Sequence, residues 1–501
     1  MASEPPIPPA PTGFITRLVT LFFPPAGLVL LIRSRPGAKR LIGGVLFIGL
    51  YSVLYTGVIL SALVKTKVVH LEWRGEGIPH LTRNPTRTDF DQLEAHRQQH
   101  TAKAITQRSG GAYWTGFRGR DRSGVYSEKT VNLAWDKSPP KLLWKQPVGG
   151  GYASFAIAKG IAYTIEQRRE DEAVTAYDIR TGGELWANTW TAKFDEQMGG
   201  AGPRSTPTWH EDRVYALGGT GEFRCIDALT GETLWKRNVL TDTLGTTLYF
   251  ASSASPLIHN DAVIVLGGEP AGAKGRGMIA YRCADGEILW QALEEKSAYS
   301  SPVHARLAGM NQILLFSGFN FMGMDPDTRE ILWKHPWEVE YNNAISQPLV
   351  TGTNRIFISA GYGKGCAQLE LSNRDGKWTA EQLWKNPFMK NKFSSSVLHA
   401  GHLYGLDNDI LVCMDAETGR KKWKDGRYGY GQIILVDDHV LVLCGDGDLA
   451  LVKCNPERHE EIARLPALDG KTWNHPAMAD GLLLIRNHAS MACYDLNQTA
   501  N

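Results

Sequence analysis

From about residue 140 onward, apolar positions fall in short alternating runs, not at helical spacing. Arg213-Val-Tyr-Ala-Leu-Gly218, Ala262-Val-Ile-Val-Leu-Gly-Gly268 and His439-Val-Leu-Val-Leu-Cys444 show the pattern. Such runs, rich in Val, Ile, Tyr and Trp and bounded by Gly, Asp and Pro, predict strands. One phrase keeps returning among them: an Asp, a short turn carrying Thr-Gly, then Leu-Trp. Asp178-Ile-Arg-Thr-Gly-Gly-Glu-Leu-Trp186 and Asp227-Ala-Leu-Thr-Gly-Glu-Thr-Leu-Trp235 are the clearest copies. Ala284–Trp290, Asp325–Trp333 and Asp415–Trp423 are variants.

Trp144, Trp186, Trp235, Trp290, Trp333, Trp384 and Trp423 lie 42, 49, 55, 43, 51 and 39 residues apart, and Arg464 takes the Trp place 41 residues further on. A period of roughly 40–50 residues fits a four-stranded propeller blade. Helical repeats share that period, but the alternation and turn content here are those of strands. Each unit divides into a Ser/Thr-Pro-type strand (Ser205-Thr-Pro, Ser255-Pro, Ser301-Pro, Gln347-Pro), an aliphatic strand, a strand ending at the Asp, and the Leu-Trp strand. The Asp is expected to cap its own turn and the Gly to take a positive φ. The Trp is expected to pack between blades. The last unit, Thr472–Leu496, lacks a Leu-Trp strand, and Lys141-Leu-Leu-Trp144 lacks the three strands before it. Joined, the two complete an eighth blade and remove an open sheet edge. The expected fold is therefore all-β, an eight-bladed propeller, with seven blades as the alternative.

These repeats resemble those of the pyrroloquinoline-quinone (PQQ)-like β-propeller family over residues 113–496. That family includes propellers of the BamB type and quinoprotein alcohol dehydrogenases. The resemblance implies the fold more strongly than any activity, because one scaffold hosts unrelated functions. In the quinoprotein enzymes, a calcium ion held by acidic and amide side chains sits beside the quinone, an Asp serves as base, and many carry a vicinal disulfide. This chain has no adjacent Cys pair, and no matching Glu, Asn and Asp set can be placed on its inner strands.

Before the repeats, the pattern changes. Residues 41–64 are 24 uncharged, mostly apolar residues, enough to span a bilayer and longer than a signal-peptide core. An apolar stretch at 14–32, broken by Arg17 and Pro24-Pro25, reads as a re-entrant or interfacial hairpin or as a second span. Arg33, Arg35, Lys39 and Arg40 lie between the two, against Lys65 and Lys67 after the span. Positive residues stay cytoplasmic, so the propeller is expected outside the cytoplasm, on the periplasmic side of an inner membrane. Residues 1–40 then form a cytoplasmic or interfacial segment, 41–64 the anchor and 65–112 a polar connector. A helix in the connector could start at Thr88 or Asp89.

Net charge is +2, and no basic cluster interleaves with aromatics, which argues against nucleic acid. Cys225, Cys283, Cys413, Cys454 and Cys493 share one slot of the repeat and read as small buried residues. The absence of any Cys-x-x-Cys leaves zinc-type and c-type haem sites unsupported. Glu166-Gln-Arg-Arg-Glu-Asp-Glu172 is expected as a solvated, charge-balanced loop, with Glu166 aimed at the channel mouth as the alternative.

Polar residues that depart from the repeat are the candidates for function. The first strand of each blade would line the central channel, and those strands (Gly150–Phe155, Gly202–Thr206, Phe250–Ser255, Ala298–Ser301, Asn342–Gln347, Lys390–Ser396, Tyr428–Gln432 and Thr472–His475) are unusually polar. Arg204, Lys392, Trp473, His475 and Gln347 are the chosen candidates for an anionic or planar ligand. Arg204 offers a planar fork, Lys392 a second cation, Trp473 a stacking face, and His475 a proton carrier near neutral pH. Structural lining of a polar channel is the competing reading. The expected function is a non-catalytic binding or scaffold module for a protein or envelope component. The alternative is a PQQ-dependent quinoprotein oxidoreductase or a diverged relative that still binds the cofactor.

Overall fold

The computed structural model describes residues 38–66, 69–72, 80–82, 86–100 and 111–497, so the apolar stretch at 14–32 lies outside the described residues. The chain divides into two compact units, one around an N-terminal helix and one from Thr86 onward. In the first, helix α1 (Ala38–Lys65) contains a stretch, Ile42–Lys65, long and apolar enough to cross a membrane. Its Leu46, Phe47, Leu50, Val53 and Val58 side chains are all exposed. Among the described residues, no core covers this apolar surface.

The second unit opens with helix α2 (Phe90–Gln99), whose first turn is capped by the Asp89 carboxylate accepting the Asp91 and Gln92 N–H groups at 3.1 and 3.0 Å. Its buried Leu93 and the two parallel 2.8 Å bonds from Arg97 to Glu184 hold it against the first blade.

Eight sheets follow in chain order, each a four-stranded antiparallel meander. The eighth is built from Ala477–Ala479, Leu482–Arg486 and Ser490–Asp495 and closed by Lys141–Pro147, with Cys493 opposite Trp144. Eight blades and the predicted clasp are thus present. The seventh blade gains a fifth strand, Val125–Tyr126, running parallel to Gln432–Val436.

The repeated phrase holds neighbouring blades together by one contact. The indole N–H of Trp144 donates to Ile179 O at 2.9 Å, that of Trp186 to Ala228 O at 3.3 Å, and that of Trp235 to Cys283 O at 3.0 Å, each in the turn of the next blade. Trp384 and Trp423 repeat this with Glu417 O and Asn455 O. The same rings lie against the turn glycines. A Cβ on Gly182, Gly231, Gly286 or Gly419 would sit 2.5–2.7 Å from the ring carbons of Trp144, Trp186, Trp235 or Trp384. These glycines have φ of +70 to +77°, so Gly is needed twice over, for backbone and for contact. The Asp of the phrase caps the turn: Asp227 accepts the Leu229 and Thr230 N–H groups at 2.9 and 2.8 Å. The fourth blade departs from the rule. Arg329 takes the glycine place at φ 67°, and Trp333 donates to Gln312 within its own blade.

The Glu166–Glu172 run is not a solvated loop. Strands Ile161–Arg168 and Asp171–Asp178 pair along their whole length, leaving only Arg169 and Glu170 in the turn. Glu166 and Glu172 are fully buried. Glu166 is tolerated there because it accepts the Gly149 N–H at 2.8 Å, the Arg168 guanidinium at 2.6 Å and the hydroxyls of Thr175 and Tyr177. Arg168 in turn reaches Glu184 at 2.7 Å, so the Glu166 charge is matched inside the blade, while Arg169 and Glu170 pair at the surface with Asp91 and Lys193. The cysteines are unpaired; of the five in the shared slot Cys225, Cys413 and Cys493 are buried as expected, but Cys283 and Cys454 are half-buried.

Candidate binding site

The segments entering the inner strands are stitched into a ring by short hydroxyl side chains. Ser154 N–H donates to Thr206 Oγ1 at 2.9 Å, Thr206 N–H to Ser255 Oγ at 3.1 Å, Ser255 N–H to Ser301 Oγ at 2.8 Å, and Gln347 N–H to Ser395 Oγ at 3.0 Å. Each bond crosses from one blade to the next. The polar inner residues therefore satisfy backbone groups that no sheet partner can reach.

One end of the channel is filled by the chain itself. Residues 111–124 run in along the inner strands, with Gly111 O and Trp114 O accepting from Lys159 and Ile157 N–H and Thr115 O from Trp209 N–H. Arg118 and Arg122 are buried. Arg118 donates to Ser396 O at 3.0 Å and to His475 Nε2 at 3.0 Å; Arg122 donates to Pro302 O at 2.7 Å, to Ser255 O at 3.2 Å and to Pro256 O. Burial pushes both guanidinium groups down, to about 10 and about 9, which leaves them charged at neutral pH. A charge taken from water is held here by carbonyl oxygens of separate blades.

Above this plug lies a cavity of about 170 Å³. Every blade contributes to its wall, as Tyr152, Arg204, Phe250, Tyr299, Gln347, Phe393, Gln432 and Trp473 show, and Phe117 reaches it from the plug. Trp473 anchors an aromatic cluster, with Phe393 at 4.6 Å, Tyr152 at 5.7 Å and Tyr430 at 6.3 Å between centroids. Its indole N–H is buried with no acceptor.

Arg204, Gln347, Trp473 and His475 all line this cavity, and Lys392 packs on two of the rings that do. Their chemistry differs from the expectation for some. Arg204 is paired with Glu196 at 2.8 Å, also donates to Gly200 O, and lies over the Phe194 and Tyr152 rings. His475 has both ring nitrogens engaged, Nδ1 with Pro476 O at 2.7 Å and Nε2 with Arg118. Burial, then the Arg118 charge, holds it neutral far below its ordinary range, so it is no proton carrier near neutral pH. Gln347 bonds to the Ser300 hydroxyl. Lys392 has no carboxylate partner among the described residues. Its ammonium faces the rings of Tyr430, Tyr362 and Phe393 at 4.6, 5.2 and 5.4 Å, and burial lowers its pKa.

Several residues of the site were not singled out in the sequence. Lys471 lies 4.7 Å over Trp473 and 5.6 Å over Tyr152, with Met198 O and Gly199 O at 3.4 Å. Its signal was its place just before Thr472, at the head of an inner segment. Glu196 sits in the long connection between the first and second blades, and no repeat feature marked it. Arg118 and Arg122 belong to a Gly/Arg-rich run ahead of the first repeat strand that carries no repeat feature.

Loops after the second and fourth strands of each blade emerge on one end because strand direction alternates. The cavity opens on that end. Met198, Leu244, Tyr249, Phe319 and Tyr341 stand exposed there, Tyr249 and Tyr341 by 66 and 70%.

A family model described as outer membrane protein assembly factor BamB matches residues 170–425. The BamB of Burkholderia pseudomallei (strain K96243) is 23% identical over 335 residues, 56% of this chain and 83% of its own length. Among solved structures, BamB from Moraxella catarrhalis aligns with a TM-score of 0.50 and 15% identity, covering 72% of this chain and 98% of its own. Quinohemoprotein alcohol dehydrogenase from Comamonas testosteroni aligns at 0.55 and 13%, covering 83% of each. These structural likenesses are of fold.

Proposed function

The chain belongs to the outer membrane protein assembly factor BamB family, and from that premise we propose that it is a membrane-anchored propeller that docks a protein of the cell envelope and performs no chemistry of its own. Helix α1 would span the inner membrane, with the propeller on the periplasmic side, as the basic residues before it favour. The docking face would be the end that carries the cavity and the exposed Tyr249, Phe319 and Tyr341.

The observation that supports a binding role is the chemistry of the cavity wall. Its single carboxylate, Glu196, is committed to Arg204, and its histidine is committed at both nitrogens. That leaves no poised base or nucleophile on the wall. A quinone with calcium does not fit this donor set either. Calcium takes six or more oxygen ligands, largely carboxylate and carbonyl, and no group of three His, Cys, Asp or Glu side chains suited to a metal occurs among the described residues.

The test places a photo-crosslinking amino acid at Tyr249 in the full chain, in intact cells. One envelope protein is expected to crosslink, less so with Tyr341→Asp on the same face and equally with Leu289→Asp on an outer strand. Dye reduction by the purified full chain with added pyrroloquinoline quinone and calcium would overturn the non-catalytic reading.

A further inference from the structure

We propose that the channel-mouth cavity takes an aromatic ring carrying a single carboxylate. This rests on the docking reading of the same face and names the group the cavity receives. Three independent features converge on that chemistry.

The first is size and wall. A cavity of about 150 Å³ accepts one benzene ring, and this one measures about 170 Å³, walled by Phe117, Tyr152, Phe250, Tyr299, Phe393 and Trp473. Stacked and edge-on ring contacts are the favourable fillings of such a wall. The second is charge. Arg204 is neutralised by Glu196, but Lys392 and Lys471 flank the aromatic cluster with no carboxylate partner among the described residues. Two unpaired ammonium groups thus lie just behind the wall, against the lining rings of Tyr362, Phe393, Tyr152 and Trp473, close to a low-dielectric cavity where an anion gains most. The buried His488, 4.4 Å from Tyr152, is held neutral by desolvation first and then by the charges of Lys471, Arg204 and Arg486. The third is an unused donor. The Trp473 indole N–H is buried without an acceptor; those of Trp114, Trp190, Trp209 and Trp337 share that state, but of the five only Trp473 lines the cavity. A buried donor left unmade costs free energy that an arriving oxygen would recover.

An apolar ligand would leave the two ammonium groups and the indole unanswered. A simple inorganic anion would leave the ring-lined volume unfilled. An aromatic carboxylate answers both, and it can come from a free aromatic acid or from an acidic side chain next to an aromatic one on a docked partner.

Fluorine NMR of para-fluorophenylacetate with the detergent-purified full chain tests the assignment. Binding is expected, and the uncharged alcohol analogue should bind about tenfold more weakly. Lys392→Met should weaken the acid about tenfold without changing the alcohol, and Lys392→Arg should restore it. Displacement by acetyl-Asp-Tyr-amide assigns the group to a partner's side chains; failure of the dipeptide to displace it assigns a free acid. Equal binding of acid and alcohol to the unaltered chain overturns the proposal, as does an unchanged affinity in Lys392→Met. The Tyr249 crosslink reads docking separately, so loss of one result leaves the other interpretable.

Discussion

Single residues in this propeller are placed by the need to satisfy buried groups. Glu172 is the instructive case. It is fully buried and accepts the Gly219 N–H at 2.9 Å, and burial, partly offset by that bond, pushes its carboxyl up to about 7. Between the ordinary carboxyl range near 4.5 and about 7, the folded chain therefore holds a proton that the unfolded chain has released. Stability contributed by the protonated form is complete below the lower value, falls as pH rises toward 7, and is flat above it. The loss is on the order of 3 kcal/mol. Glu172→Gln is expected to remove this slope and to be the more stable form at alkaline pH, read from urea midpoints across the range. Superimposable profiles would refute the assignment. His475 teaches the same lesson from the other side: a histidine in a channel-lining segment reads as a proton carrier in the sequence, but its neighbour Arg118 comes from 357 positions earlier.

At the scale of elements, the turn of one blade and the Trp of the previous blade form one device. Gly231 has φ +77°, and a Cβ there would meet the Trp186 ring at 2.6 Å. Gly401 has the same φ of +77° with nothing within 4 Å. Gly231→Ala is expected to cost about 3 kcal/mol, from overpacking added to backbone strain, and Gly401→Ala about 1 kcal/mol from strain alone. Chemical denaturation of the two variants separates the terms; equal losses would mean that the Trp contact contributes nothing. The repeat, its strands and its caps were legible because they depend on near neighbours in the chain. The Glu166–Glu172 hairpin was not, since its burial depends on Arg168, Tyr177 and Gly149 acting together, and charge count alone favours solvent.

For the whole molecule, closure is achieved twice, by the Lys141–Pro147 strand completing the eighth blade and by residues 111–124 filling the axis. Arg122 binds the third and fourth blades through Ser255, Pro256 and Pro302 carbonyls, and Arg118 binds the sixth and eighth through Ser396 and His475. Arg122→Met is expected to destabilise the full chain by on the order of 3 kcal/mol, because those carbonyls keep their burial and lose their donor. Hydrogen exchange at the third and fourth inner strands should rise with it. An unchanged denaturation midpoint would mean that the plug rests on the axis without supporting it.

An uncharged run pointed to an apolar helix ahead of the repeats, and periodicity pointed to the propeller, to eight blades over seven and to the clasp, because each rests on local pattern and on the arithmetic of repeats. It also located the ring of inner segments from which Arg204, Gln347, Lys392, Trp473 and His475 line or flank the cavity. Only the tertiary structure decided which of them are already spent. His475 is spent on Arg118, 357 positions away, and Arg204 on Glu196, 8 positions back in an irregular connection, whereas Lys392 and Lys471 face aromatic rings and no acid. Whether a polar group is committed or available depends on what the closed ring brings within hydrogen-bond reach, and no spacing along one strand carries that information.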